Sequence, residues 1–571
     1  MQTDQRKRHG ASRLFVLCLL LSFCPRAIAQ SPRQELLRLV PPDVAICAVI
    51  EDLRGHGEAL LKSPFLKRFA PAIAGMAQGD EVQKLDFVDK WLQENLQVSS
   101  VQLRDDILGD ALVIAYRPGP PAKPEQEQGL LLVHARDPKL LARLIDRLNQ
   151  IQRDSGDLKE LTDREFMGRT YHRREDQKDT NFYYLNGPVL AFAPKEEILK
   201  ELIAREAQRD SDSPLVRAFM EKGTESALVS VWINPRVYDA PLRLKLEAAQ
   251  GADNKALKTF QSYWQAIDGL GIRLVLDKEI RLDVSLRFRP EALPAAARRL
   301  AELQPGGHDV FNYLPDNALV SVGGRVDIPA LVDAWADFVA EEARHSLRNA
   351  IDSTVGAVLG KDIVETVLPS LGPEWGACVL APPGGAPHWL PQALAALRVK
   401  PNKSGETHGA LALNTLNALA TLIVFQTNGG HPGPTSLKLT VKDGVEVRYL
   451  VNPEHFPPGF EPAFAMKHGY LVVATSPDAL DRFAPSKREA AGDRPILRIS
   501  FSEARRYLKD HRQAIAAFCA AKHEISDETA GQHLDRVAAI LEFLDSAEIR
   551  KEAGPDRLTL SLHVRLAEAL K

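Results

Sequence analysis

The residues with most chemical promise lie in Lys522-His523-Glu524-Ile525-Ser526-Asp527-Glu528, with His533 beyond. At a helical spacing of four, His523 and Asp527 would share a face and offer a nitrogen and a carboxylate to a metal. A metal centre needs three or four ligands and bonds that orient them. Ser526-Asp527-Glu528 equally reads as a helix start, with a capping hydroxyl and acids where the helix dipole favours them. The capping reading is preferred, and no metal or other cofactor is expected. Two turn-rich links, Ala381–Pro391 and Asn428–Pro434, hold His388, Trp389 and His431. Loops often carry function, but Gly and Pro in these links already account for turns. Asp43 and Asp316 each follow a proline. A paired-carboxylate role would require them to meet, whereas Pro-Asp turn chemistry needs nothing further.

The remaining nucleophiles and motifs are sparse. Of the five cysteines, Cys18 and Cys24 fall within residues 1–29, which are expected to be cleaved off; the remaining Cys47, Cys378 and Cys519 are an odd number at wide spacing, with no C-x-x-C, so they are expected to be buried packing residues rather than a disulfide framework, a zinc ribbon or a redox pair. The sequence holds no G-x-S-x-G, S-x-x-K, H-E-x-x-H, P-loop, G-x-G-x-x-G or EF-hand loop. No catalytic or cofactor-binding residue is assigned.

The elements that would hold any such residues are more legible. Arg6, Lys7, Arg8 and Arg13, the apolar run Leu14–Phe23 and Ala27-Ile28-Ala29 have the form of a secretory signal, with cleavage expected after Ala29 and an uncleaved anchor as the alternative. The run is short for a bilayer span, and no later run is read as a transmembrane segment. Residues 1–29 carry five Lys/Arg and one Asp, so cleavage takes the formal net charge from −3 to −7. That balance leaves no electrostatic footprint for nucleic acid. The chain is expected to be exported, periplasmic or extracellular.

Segments then recur in order. Pro42–Val49 reads like Pro315–Val322. Leu108-Gly109-Asp110 precedes the apolar strand Ala111–Tyr116, as Leu371-Gly372-Pro373 precedes Gly376–Ala381. Val189–Ala193 matches Leu471–Thr475, Ala227–Tyr238 matches Ile496–Tyr507, and the alternating run Leu282–Phe288 matches Leu558–Val564. The shared order predicts two tandem homologous halves, 30–304 and 305–571, joined near Gln304-Pro305-Gly306-Gly307. In that alignment Cys47 falls opposite Val320 and Cys378 opposite about Val113. Within the first half, Gly129–Ala135 is a strand, Asp137-Pro138 starts a helix with Leu140, Leu141, Leu144, Ile145 and Leu148 at helical spacing, and Phe166–Arg174, Asn181–Leu185 and Val189–Ala193 follow as strands. Asn186-Gly187 and Asp443-Gly444 are hairpin signals. The second half repeats the pattern with Ala393–Val399, a helix near 409–425, Ser436–Val441, Val445–Val451 and Tyr470–Thr475. Hairpin-linked strands argue for an α+β fold, each half a mainly antiparallel sheet covered by helices on one face. Amphipathic stretches 65–96 and 327–358 are expected to pack on it.

Three stretches, LVPPDVAICAVIEDL…SPFLKRF, ILGDALVIAY and NFYYLNGPVLAFAPKEEILKEL…DSPLVRAFM, resemble an exported bacterial family defined only as a domain of unknown function and frequent in Planctomycetes and Cyanobacteria. The resemblance covers most of the first half and, weakly, the second. It implies an extracytoplasmic α+β protein and transfers no functional residue. The function expected is a non-catalytic binding or scaffold module at the cell envelope, with an envelope partner. Alternatives are a carrier of an apolar ligand and a hydrolase of unfamiliar type.

Overall fold

The computed structural model describes residues 31–567 apart from 63–86, 209–212, 221–226, 250, 278, 303–308, 340–344, 347–369, 385–387, 401–407, 430–432 and 486–494. Residues 1–29, expected to be a leader, residues 304–307, expected to join two halves, His431 and most of the stretches 65–96 and 327–358 therefore lie outside the described residues.

Twenty strands among the described residues form one antiparallel sheet. The first ten are β1 (Ile46–Glu51), β2 (Ala111–Arg117), β3 (Gln128–His134), β4 (Leu158–Phe166), β5 (Arg169–Asp176), β6 (Thr180–Asn186), β7 (Val189–Ala193), β8 (Val229–Ile233), β9 (Ile267–Leu276) and β10 (Glu279–Phe288). The second ten are β11 (Ala318–Arg325), β12 (Leu371–Leu380), β13 (Gln392–Val399), β14 (Ser436–Lys442), β15 (Val445–Val451), β16 (Ala463–Lys467), β17 (Tyr470–Ala474), β18 (Leu497–Ser500), β19 (Leu544–Ala553) and β20 (Arg557–Leu566). Hydrogen bonds order the first ten as 4-5-6-7-3-2-1-8-9-10 and the second ten as 14-15-16-17-13-12-11-18-19-20. The two orders agree step for step. β10 pairs with β20 over nine residues, from Glu279 opposite Arg565 to Arg287 opposite Arg557, and so joins the two runs into one sheet.

Local chemistry explains the elements. In helix α1 (Pro32–Leu39) the Ser31 hydroxyl accepts from Gln34 N–H. In α2 (Pro138–Asp154) one Asp137 carboxylate oxygen accepts from the N–H groups of Lys139 and Leu140, which cap the helix. The Asp443-Gly444 turn has both residues at positive φ, as a two-residue hairpin turn demands. The first-half signal sits one residue further on: Asn186 still pairs with Val189, so Gly187-Pro188 forms the turn.

Helices cover both faces of the sheet, not one. α1 and α3 (Glu196–Gln208) close one face, burying Leu36, Leu37, Ile198, Leu199 and Leu202 against Cys47, Val49, Val113, Leu132 and Ala191. α2 closes the opposite face, where Leu141 and Leu144 meet Val133, Tyr183 and Leu190. In the second run, Val310, Leu314, Leu480 and Phe483 pack on Cys378, Leu394, Ala465 and Val472. On the other face, α4 (His408–Thr427) packs through Leu413, Leu416, Ala420 and Val424 onto Leu450 and Phe464. Fully burying one such aliphatic side chain is worth about 1.5–3 kcal/mol; Leu413, Leu416 and Val424 of α4 are only partly buried and gain less.

Three further expectations need correction. Phe166–Arg174 is not one strand: Met167 and Gly168, both at positive φ, turn β4 into β5. By length and composition α4 is long and apolar enough to cross a membrane, whereas no such run was expected from the sequence. A bulge between Ala318 and Val320 inserts one residue, so Ser321, not Val320, takes the cross-strand place of Cys47. Cys378 stands beside Ser321 as Ala115 stands beside Cys47, which displaces the expected match with Val113.

Candidate functional site

Where the two runs meet, the sheet face that carries the cores around Cys47 and Cys378 turns polar. Directly opposed residues of neighbouring strands share a face, so the rows can be followed across the junction. One row runs from the buried Val49 through Ser230, Arg273, Asp283 and Ser561 to Arg550. The next runs from Val275 through Arg281, His563, Glu548 and Arg498 to Ser321, beside Cys378. A third holds Trp232, Gly271, Ser285, Thr559 and Glu552. An antiparallel pair has a local two-fold axis, and here it lies at the central pair of β10 and β20, Asp283 and Ser561.

These rows line a cleft of about 580 Å³ on that axis, bounded by Arg273, Arg281, Asp283, Arg557, Thr559, Ser561 and His563 with the turn Ala553–Asp556. Asp283, Glu548, Thr559 and Ser561 are buried. Arg281 lies 3.4 Å from Asp283. Glu548 receives a 2.9 Å bond from Arg550, with Arg565 at 3.7 Å and Arg498 at 3.9 Å. Burial opposes ionisation of Glu548, but the Arg550 bond and the charges of Arg565, Arg550 and Arg498 hold its carboxyl below the usual range. His563 Nδ1 bonds Glu279 at 2.6 Å. The Arg287 guanidinium lies 5.2 Å from the centroid of the Trp232 ring, and burial followed by the Arg557 charge lowers its pKa. Trp232 lies against Gly269, where any side chain would collide with the indole. Guanidiniums, carboxylates and hydroxyls thus converge on one concavity, with forks suited to carboxylate or phosphate groups.

The residues singled out from sequence lie elsewhere. His523 ends helix α5 (Arg512–His523), Glu524 follows in the left-handed region, and Ser526 caps α6 (Asp527–Leu541) by accepting from Thr529 N–H. His523 and Asp527 are therefore on different helices. Trp389 packs against Phe518, and its carbonyl accepts from the Tyr507 hydroxyl. His388 lies beside Gly459. Asp43 pairs with Arg117. Cys47 and Cys378 are buried, and burial pushes each thiol up to about 12; Cys519 is half-buried. Among the described residues no three His, Cys, Asp or Glu side chains gather in a metal-binding array.

The cleft was missed because its signal, polar residues alternating with apolar ones in Arg281–Phe288 and Arg557–Leu566, is also that of a strand with one face in water. A further concavity, about 420 Å³ and apolar, lies on the opposite face of the second run against Val320, Val379, Ala395, Phe460 and Val473. Comparison with family models, curated proteins and solved structures returns no match.

Proposed function

We propose that this chain is an exported, non-catalytic binding module made of two homologous halves, 30–304 and 305–571, whose ligand site is the polar cleft between them. The observation that carries the reading is the cleft's position. It lies on the axis between β10 and β20, where two runs of identical strand order join edge to edge, as two copies join in a symmetric dimer. A site on such an axis draws side chains from both halves. Its lining sets Arg273, Arg281 and Arg557 against Asp283, Glu552 and Asp556, with the hydroxyls of Ser561 and Thr559 between them, and the guanidinium forks suit a small polar molecule that carries an anionic group. The ligand belongs to the cell envelope, where the leader Met1–Ala29 directs the chain, and nucleic acid is not a partner.

Two experiments test this. N-terminal sequencing of the extracytoplasmic protein should begin at Gln30, and an intact Met1 on cytoplasmic protein would end the export reading. Mass spectrometry of small molecules released from purified protein should find an anionic polar compound that Arg281→Ser protein does not retain. Equal retention by both proteins would remove the cleft as the site.

The apolar concavity at Val320, Val379 and Val473 favours a second reading, a carrier of an apolar ligand. Release of fatty acids or other lipids, retained by Arg281→Ser protein and lost in Val379→Asp protein, would select it.

A further inference from the structure

The two outer strands of the sheet differ in a way that marks one of them as a docking edge. β4 and β14 take the same place in the two strand orders, and among the described residues each is bonded on one side only, to β5 and β15. Two-residue turns, Met167-Gly168 and Asp443-Gly444, fix their registers, so Phe166 corresponds to Lys442, Glu165 to Val441, Asp163 to Leu439 and Leu161 to Leu437. A free edge templates further strands, and natural proteins guard it with charge. β4 is guarded in this way: Asp163 and Glu165 are exposed, and Asp163 bonds His172 at 2.8 Å. At the matching places β14 carries Leu439, 56% exposed, and Val441, 65% exposed.

The neighbouring helices repeat the contrast. α2 shows Arg143, Asp146, Arg147 and Gln150 to solvent. α4, which holds Leu437 through its packed face, shows Ile423 and Phe425. The opposite face of β14 carries Lys438 and Lys442, of which Lys442 is paired with Asp481, and the strand itself has no acid.

We propose that β14 accepts an extended segment of a separate protein as a further strand, one apolar at alternate positions and acidic at those between. Main-chain bonds along the open edge supply affinity, and side-chain alternation supplies selectivity. Apolar residues of the incoming strand cover Leu439 and Val441, and its acids lie on the Lys438 face. A second copy of this chain fits less well. Two β14 strands paired antiparallel would bring lysines together on one face, and β4 would set Asp163 and Glu165 beside Leu439 and Val441.

The test gives β14 the residues of β4. Full-length protein and its Leu439→Asp/Val441→Glu variant are titrated, by fluorescence anisotropy, into a labelled nonapeptide of alternating valine and glutamate and into a valine–lysine control. Both changed positions are exposed, so the variant should keep the thermal midpoint of the parent. The expected result is binding of the valine–glutamate peptide, weakened at least about tenfold in the variant, with weaker binding of the control. No binding of that peptide, equal binding by the variant, or equal binding of the control would overturn the proposal. So would a concentration-dependent dimer in sedimentation that the variant abolishes, because the occupant would then be a second copy.

Discussion

Replacing Glu548 by glutamine probes the electrostatics of the junction. The Glu548 side chain is only 9% exposed and is the shared partner of Arg550, Arg565 and Arg498. Removing one member of a fully buried ion pair costs about 3–5 kcal/mol. The three arginine side chains are 26–46% exposed, so water screens part of the charge they would be left with. Discounting for that screening leaves roughly 2 kcal/mol, or a fall in Tm of about 2 °C for a single cooperative sheet of this size. The pH dependence has a definite sign. The folded-state pKa of Glu548 is depressed, so its contribution is fully present above the unfolded carboxylate value of about 4.3 and is lost as pH falls through the lower folded value. Urea unfolding followed by circular dichroism at pH 7 and at successively lower pH should therefore show a gap between wild type and Glu548→Gln that narrows below about pH 4. A gap that is constant from neutral to acid pH, or one below about 0.5 kcal/mol at neutral pH, would refute the reasoning.

Thiol labelling of the native protein should modify Cys519 first, because burial holds Cys47 and Cys378 protonated up to about 12; rapid native labelling of Cys378 would contradict its place in the core. Cys378→Ala should cost about 1–2 kcal/mol in lost burial, read by denaturant midpoint. Ser526→Ala should cost about 1 kcal/mol through loss of the α6 cap, while His523→Ala should be near neutral. Stabilisation of wild type but not His523→Ala by stoichiometric zinc would reinstate the metal reading.

How far the sequence could be read depended on the range of the forces involved. Asp137-Pro138 with five leucines and isoleucines at helical spacing, and Asp443-Gly444 between alternating runs, are local signals, and both gave the elements observed. The β4–β5 turn was hidden because its only cue is the single Gly168, with Met167, a residue that rarely adopts positive φ, at the other turn position, and β16 because Ala463–Lys467 is short and alanine-rich. The bulge at Ala318–Val320 shows the limit of strand alignment, since one inserted residue moves every later match by one place. The cleft was the least legible part. His563 and Glu279 are 284 residues apart, and only the pairing of β10 with β20 brings them together. From sequence, Arg273, Asp283 and Ser561 could only be assigned to wet strand faces, because which strands become neighbours at the junction is a property of the whole sheet.

The central claim is that the junction cleft holds a small polar ligand with an anionic group. Thermal unfolding of wild-type and Arg281→Ser protein against a panel of amino acids, dicarboxylates, sugar acids and phosphate esters tests it most directly. A ligand at about 100 times its Kd stabilises the folded state by roughly 2.7 kcal/mol, a readable shift in midpoint. The account predicts that at least one anionic class raises the midpoint of wild type and leaves Arg281→Ser unmoved. A panel that shifts neither protein, or shifts both equally, would contradict it.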